Sequence, residues 1–469
     1  MLKMIVMKFG GSSVGTGERI SRVADLVVEE PREKVVVLSA VGGVTDKLVG
    51  IAQDIVNHPP DMVEKKMKEF SEELVGIHKK VIEEAIKDKE IASDVFEKVS
   101  SLIDKLRITL LGVGYLEDLS PKSLDYVLSF GERMSVLILE GCLKERKIKT
   151  CSLRGHEAGI ITDSSYGSAR PIKEATDKGV REKLQPLLKE GHTPVVTGYI
   201  AKNKDGFITT LGRGGSDYTA SIIGQYLKAE EVQIWTDVDG IMTTDPRIVP
   251  HASLIPTLSY TEAMDLAYFG AKVIHSKLIA PAMMADIPVR VKNTFNPKGE
   301  GTLIVKEQKK IEGVVKSVAV DKKAAILNLH GIGLAETPNI AGRLFSTLGK
   351  NHINVTMISG SSESNLSIVV SRKDAREAER ILNEEFGNNG VSDIGVMDDV
   401  CIVTVVGAGM HGTKGIASEI FKSVADVDVN IIMIAQGSSE VNIAFVVRES
   451  DGDKAVQTLH EHFIKNKSS

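Results

Sequence analysis

Cysteine is scarce in this chain: of 469 residues only Cys142, Cys151 and Cys401 are cysteines, far apart, with no CxxC pair and no Cys/His cluster around them. That excludes a disulfide framework and a zinc ribbon, and predicts buried, reduced thiols in a cytosolic protein. Long apolar runs are absent too. No stretch approaches the roughly 20 apolar residues of a membrane span, and the apolar start of "MLKMIVMKFGGSSVG" is too short for a signal peptide. Excess positive charge is missing: the net charge is −5, and no basic block interleaves with aromatics, of which there are only 4%. Nucleic acid and membrane are therefore not expected as partners. No GxxxxGK[ST] occurs, so any phosphate site is not a P-loop.

What is present is the composition of a globular protein, 42% apolar and 26% charged, with length for two to four domains. Over the first 300 residues, β-branched runs at 3–9, 34–40, 193–200, 231–237 and 287–293 alternate with amphipathic segments such as 17–30 and 216–230. This alternation predicts an α/β domain around a largely parallel sheet. Residues 62–113, dense in Lys and Glu, predict a helical hairpin whose charges form solvated i,i+4 pairs.

The texture changes after "NPKGEGT" (296–302), and two similar units follow, each with a "GSSE" turn. Ala341 matches Ala417, Phe345 matches Phe421 and Ile358 matches Ile434 at an offset of 76, but Asn365 matches Asn442 at 77. The register slips where Gln436 stands in the second copy. Units of about 70 residues fit ferredoxin-like βαββαβ modules. The organisation expected is a catalytic domain over 1–298, a linker and strand over 299–322, and modules over 323–396 and 397–469. "VVKSVAV" (314–320) is expected to add a strand to the second module.

Several stretches could carry chemistry. "MKFGGSSVG" (7–15) sets Lys8 at a strand end and Gly10, Gly11 and Ser12 in the turn before a helix, where backbone N–H groups can form an anion nest. "TTLGRGGSDYTA" (209–220) repeats the arrangement with Arg213 before Gly214–Gly215, and with Ser216 and Asp217 as caps of the next helix. Either turn alone is as readily an ordinary tight turn; two with a cation each favour an anion site. "SFGERMS" (129–135) places Glu132 and Arg133 at a helix start. "WTDVDGIMTTDPRIV" (235–249) is an acidic loop whose spacing fits no EF-hand. "YFGAKVIHS" (268–276) brings Lys272 to the end of a helical segment, and His275 reads as a core or surface histidine without a role. "GAGMHG" (407–412) matches the dinucleotide fingerprint, but the sister copy "GIGLAE" (331–336) lacks the third glycine. A glycine turn that lets a small ligand reach backbone amides is the reading favoured there.

In this order, "KFGG" at 8–11, "SFGER" at 129–133, "GRGGSDY" at 212–218, "TDVDGIMTTDPR" at 236–247, "FGAK" at 269–272 and the two "GSSE" turns closely resemble aspartate kinases across the whole chain. The resemblance implies an α/β fold: a three-layer amino-acid-kinase domain followed by two ACT domains. It implies ATP-dependent phosphorylation of the L-aspartate side chain, the first step toward lysine, threonine and methionine, with Mg²⁺ on the phosphates.

By that resemblance, ATP would contact Lys8, Phe9, Gly10, Gly11, Thr236, Asp237, Met242, Arg247 and Lys272. Aspartate would contact Ser39, Thr45, Glu132, Arg213, Gly214, Gly215, Ser216 and Asp217. Lys8, Asp217 and Lys272 would carry the chemistry, with Lys8 and the Gly10–Gly11 amides on the transferring phosphoryl group. Arg213 suits the α-carboxylate, Glu132 the α-amino group. Two departures stand out. Met242 replaces the usual Tyr beside the adenine, which leaves nucleotide preference open, and Ser276 replaces a Pro. The chain ends without the homoserine dehydrogenase domain some relatives carry, which implies a monofunctional enzyme.

The resemblance further implies a homodimer or tetramer through the ACT domains and feedback by lysine and/or threonine. One effector site would be framed by Gly333, Asn354, Ser359 and Glu363, the other by Gly409, Asn430, Gln436 and Glu440. Two alternatives stay open: a kinase of the same fold acting on glutamate, acetylglutamate, carbamate or a nucleotide, and a catalytically idle amino-acid sensor.

Overall fold

The computed structural model describes residues 4–270, 273–306, 314–331, 339–360, 365–386, 391 and 393–465. They form two compact units: 4–241 with 256–260 and 273–306, and 242–255 with 261–270 and 314–465. The chain is thus not divided at one point, since 242–255 and 261–270, both inside 1–298, pack with the second unit.

The first unit is built on an eight-stranded sheet. Its strands lie in the order Thr150–Leu153, Thr193–Thr197, Glu33–Leu38, Met4–Phe9, Glu231–Thr236, Val289–Asn293, Thr302–Val305, Thr257–Ser259. The first six are parallel and only Thr302–Val305 turns against its neighbour Val289–Asn293. Every residue of Met4–Phe9 is buried, as a strand covered on both faces must be. The expected hairpin forms from Pro60–Ala85 and Lys89–Leu116, with Lys65–Glu69, Lys80–Glu84 and Lys98–Asp94 as i,i+4 pairs.

Three local expectations are corrected. The run 193–200 is not one strand: it stops at Thr197, turns through Gly198 and Tyr199 (φ 67°), and resumes as Ile200–Asn203. A Cβ at 198 would lie 2.5 Å from Ser216, so the chain can turn there only with glycine. Glu132 and Arg133 lie in the middle of the helix Pro121–Glu145, whose start is set by the Ser120 cap and Pro121. Ser216 and Asp217 sit inside the first turn of the helix Gly215–Leu227, because left-handed Gly214 (φ 71°) takes the cap position. Of the thiols, Cys142 and Cys401 are buried and Cys151 is half-buried, all unpaired.

The second unit holds a six-stranded antiparallel sheet in the order Val355–Ser359, Asn365–Ser371, Ser317–His330, Asp393–Val406, Asn442–Arg448, Met433–Ala435. The two central strands, 14 residues each, run through both repeats. Ser317–Asp321 pairs with Ile402–Val406 in the second repeat, and Ala324–His330 pairs with Asn365–Ser371 in the first. The helices Ile340–Lys350 and Ala375–Phe386 close one core, Ile416–Ala425 and Gly452–Phe463 the other. Val249 is buried in the second of these cores. Phe269 is buried among Ala324, Ile326, Met357, Val369, Val400 and Met433, which explains why their segments belong to this unit.

The slip between repeats falls between two paired strands. Ile358 pairs with Ile368 and Ile434 with Phe445, so the second copy has one more residue between partners while the pairing itself is kept. A slip within a strand would turn its apolar face outward. Among the described residues, no helix is long and apolar enough to cross a membrane.

Candidate active site

At the carboxyl ends of the parallel strands lies a cavity of about 340 Å³, within the range of small-molecule sites. It is lined by Lys8, Gly11, Ser39, Thr45, Glu132 and the turn Gly212–Asp217, which the sequence singled out except for Gly212. Tyr199, Asp46 and the stretch Ala40–Gly43 line it as well and were not anticipated. Gly198 was the available signal for Tyr199, since a glycine inside an apparent strand marks a bend or a close approach.

Lys8 is the penultimate residue of the strand Met4–Phe9 and is mostly buried. Its Nζ lies 2.5 Å from Asp217 Oδ1, each side chain about one tenth exposed (11% and 12%). Helix Gly215–Leu227 carries Asp217 to it, and Gly10 lets the turn pass close to the ammonium, where a Cβ would lie 3.3 Å from Nζ. The Gly10 N–H donates to Trp235 O at 3.3 Å, so this amide is engaged in holding the strand ends together. The Phe9 ring is core, stacked on Trp235 at 5.7 Å.

Glu132 is 3% exposed and reaches the cavity from mid-helix. Burial pushes its carboxyl up to about 8, the Ala40 N–H opposing this, and Oε2 has no hydrogen-bond partner. Gly131 allows this approach, for a Cβ there would lie 2.8 Å from Ala40 Cβ. Arg213 is exposed and forms no ion pair among the described residues. It is carried by the left-handed pair Gly212 (φ 73°) and Gly214 (φ 71°). His275, read as a bland histidine, backs this turn: a Cβ at 214 would meet its ring at 2.4 Å. It caps helix Ser276–Ala285 by accepting the Lys277 N–H, and burial together with Lys277 lowers its pKa. Ser39 is fixed by its N–H to Phe9 O (3.1 Å), and Thr45 stands in the first turn of helix Val44–Ile55.

The residues assigned to the nucleotide are divided. Thr236 ends the strand Glu231–Thr236, and its hydroxyl donates to Asp237 Oδ1 at 3.1 Å. Met242 and Arg247 belong to the second unit, where Ser317 Oγ donates to Met242 O and Arg247 pairs with Asp245 at 2.5 Å. Lys272 lies outside the described residues.

The chain matches the amino acid kinase family over 3–293 and the ACT domain over 327–386 and 403–463. It is 33% identical over 470 residues to aspartokinase 1, chloroplastic, of Arabidopsis thaliana, covering 98% of this chain and 80% of that protein. The chain belongs to the aspartokinases. Its structure matches E. coli aspartokinase III in complex with aspartate and ADP (R-state), with a TM-score of 0.84, 29% identity, and 98% and 99% of the two chains covered. It also matches the complex of that enzyme with lysine and aspartate (T-state), with a TM-score of 0.81, 29% identity, and 98% and 100% coverage.

In this aspartokinase chain the candidate effector residues are only partly brought together. Gly333 and Glu363 lie outside the described residues; Asn354 is exposed, and Ser359 ends the strand Val355–Ser359. In the second copy, Gly409 lies in the turn Ala408–Met410, and left-handed Glu440 (φ 55°) accepts the Gly412 N–H at 2.7 Å. Its carboxylate thus closes that glycine turn. Asn430 and Gln436 are exposed.

Proposed function

We propose that this aspartokinase transfers the γ-phosphoryl group of ATP to the side-chain carboxylate of L-aspartate, giving 4-phospho-L-aspartate. The Lys8–Asp217 pair in a cavity flanked by Glu132 and Arg213 carries the reading. The nucleophile is a carboxylate, ionised at neutral pH, so no strong base is needed. The difficulty is bringing it to an anionic phosphoryl group, which calls for fixed positive charge in a partly dry site. Lys8 supplies it, and Asp217 holds the ammonium where that charge develops. Arg213 grips the α-carboxylate and Glu132 accepts the α-ammonium, while Ser39, Thr45 and Gly214–Ser216 shape the pocket.

Phe9, Gly10 and Gly11 lie toward the phosphates, with Thr236, Asp237, Met242, Arg247 and Lys272 serving the nucleotide. Mg²⁺ enters with the substrate, held by the ATP phosphates. The ACT modules bind lysine and/or threonine and join copies of the chain into a dimer or tetramer in the cytoplasm. The domain limits drawn above, with catalysis within 1–298, remain part of the proposal.

Trapping the acyl phosphate with hydroxylamine tests the reaction. Aspartate is expected to give hydroxamate in the presence of MgATP, with glutamate and acetylglutamate giving little. No aspartyl hydroxamate would sink the assignment. Titration with lysine, threonine and methionine, singly and in pairs, tests the feedback, and a flat response to all would remove it.

A further inference from the structure

Asp125 stands seven residues before Glu132 on helix Pro121–Glu145, hence on the same face, yet it does not line the cavity. It is 1% exposed. Its Oδ1 accepts the Thr210 hydroxyl at 2.6 Å, its Oδ2 accepts the Thr210 N–H at 2.9 Å, and both oxygens lie 3.0 Å from the Gly167 N–H. Burial raises its pKa, and these donors oppose the rise. A carboxylate this deep, turned onto three donors, ties two segments of chain to the helix.

Both segments lead to the cavity. Thr210 ends the strand Ile208–Thr210, its carbonyl accepts the Ala169 N–H at 2.9 Å, and its hydroxyl meets the Tyr199 phenol. The next residue, Leu211, donates to Tyr199 O at 2.9 Å, and the turn Gly212–Ser216 with Arg213 follows directly. Gly167 abuts that turn, since a Cβ at 212 would lie 2.9 Å from Gly167 O.

We propose that Asp125 is a positioning residue for the acceptor pocket. Through Thr210 and Gly167 it fixes the Tyr199 ring and the turn that aims Arg213 at the substrate's α-carboxylate. The inference rests on the reading of the cavity as the aspartate site. Glu132 and Arg213 come from different elements, and Asp125 sets their spacing by joining the helix of one to the strand of the other. The effect falls on acceptor binding, while Lys8 and Asp217 are held by other contacts.

Asp125→Asn keeps the volume but replaces one of two acceptor oxygens with an N–H₂ that faces the Gly167 N–H in either amide orientation, because both oxygens lie 3.0 Å from it. The full-length variant is expected to raise the aspartate KM about tenfold or more, with kcat within about threefold and the ATP KM within about twofold. Thr210→Val should give the same split in smaller measure, and Thr210→Ser should restore the parent values. That pair carries the test if Asp125→Asn does not fold. A lower melting temperature with unshifted aspartate KM, or a fall in kcat alone, would overturn the inference. Absence of aspartyl hydroxamate with the unmutated protein would instead fail the substrate reading.

Discussion

The Lys8 ammonium lies 2.5 Å from Asp217 Oδ1, although the two residues are 209 positions apart and come from a strand end and a helix start. The pair is buried enough to avoid full solvent screening and open enough to face a substrate. Lys8→Ala is expected to lower kcat by about 10²–10³-fold, as removal of a donor to developing charge does, with aspartate KM changed about threefold at most. Steady-state kinetics decide it, and full turnover in this variant would remove Lys8 from the mechanism.

Glu132 gives a pH signature. Burial pushes its carboxyl up to about 8, whereas the proposed partner, the substrate's α-ammonium, needs the carboxylate. Aspartate binding should therefore release a proton, and its KM should fall as pH rises from 6 toward 9. Glu132→Gln should raise the KM and flatten that profile. The same shift acts on stability: the folded chain keeps this proton where the unfolded chain has lost it. The ligand-free protein thus loses stability from this group as pH rises from the ordinary carboxylate range through about 8. Melting curves against pH for the parent and Glu132→Gln should diverge with that sign.

Two glycines should respond oppositely to alanine. At Gly214, φ is 71° and a Cβ would strike the His275 ring, so Gly214→Ala should cost about 1–3 kcal/mol and raise the aspartate KM as Arg213 shifts. Gly76 is exposed inside helix Pro60–Ala85 with nothing near its missing Cβ, so Gly76→Ala should stabilise by about 0.5–1 kcal/mol. Denaturant titration measures both.

Lys316 and Glu262 form a buried ion pair at 3.0 Å, and Glu262 also accepts the Ala408 N–H at 2.7 Å. Lys316→Met removes the ammonium from this buried pair. A loss of about 3–5 kcal/mol is expected by chemical denaturation, because removing one member of a buried ion pair takes away the attraction that offset the desolvation of the other.

Gln436 is the extra residue of the second turn, and its amide both donates and accepts. Gln436→Ala should weaken inhibition by the amino acid that binds this turn by about fivefold or more, with basal kcat kept. Inhibition curves unchanged for lysine, threonine and methionine would exclude Gln436 from effector binding. A complex with equal occupancy and matching contacts in both turns would overturn the asymmetry of the two copies.

The sequence by itself determined the parallel sheet and the repeat. Buried strands such as Met4–Phe9 are written as apolar runs, interrupted there only by Lys8, and the repeats carry matched apolar periods that survive one inserted residue. It also marked the two glycine turns of the cavity, because tight turns over small ligands need glycine and leave a visible spacing, whereas Ser39 and Thr45 came only with the family resemblance. Contacts between distant segments leave no such mark. Only the tertiary structure decided that Glu132 emerges from mid-helix, that Gly10 spends its amide on Trp235, and that His275 backs the Arg213 turn. It alone decided that 242–255 and 261–270 fold with the second unit, since Val249 and Phe269 read as ordinary apolar residues until the core that buries them is built. Asp125 is the clearest case: in the sequence it is one acid among 63 acidic residues, and its place was decided by three donors that the fold brings to it.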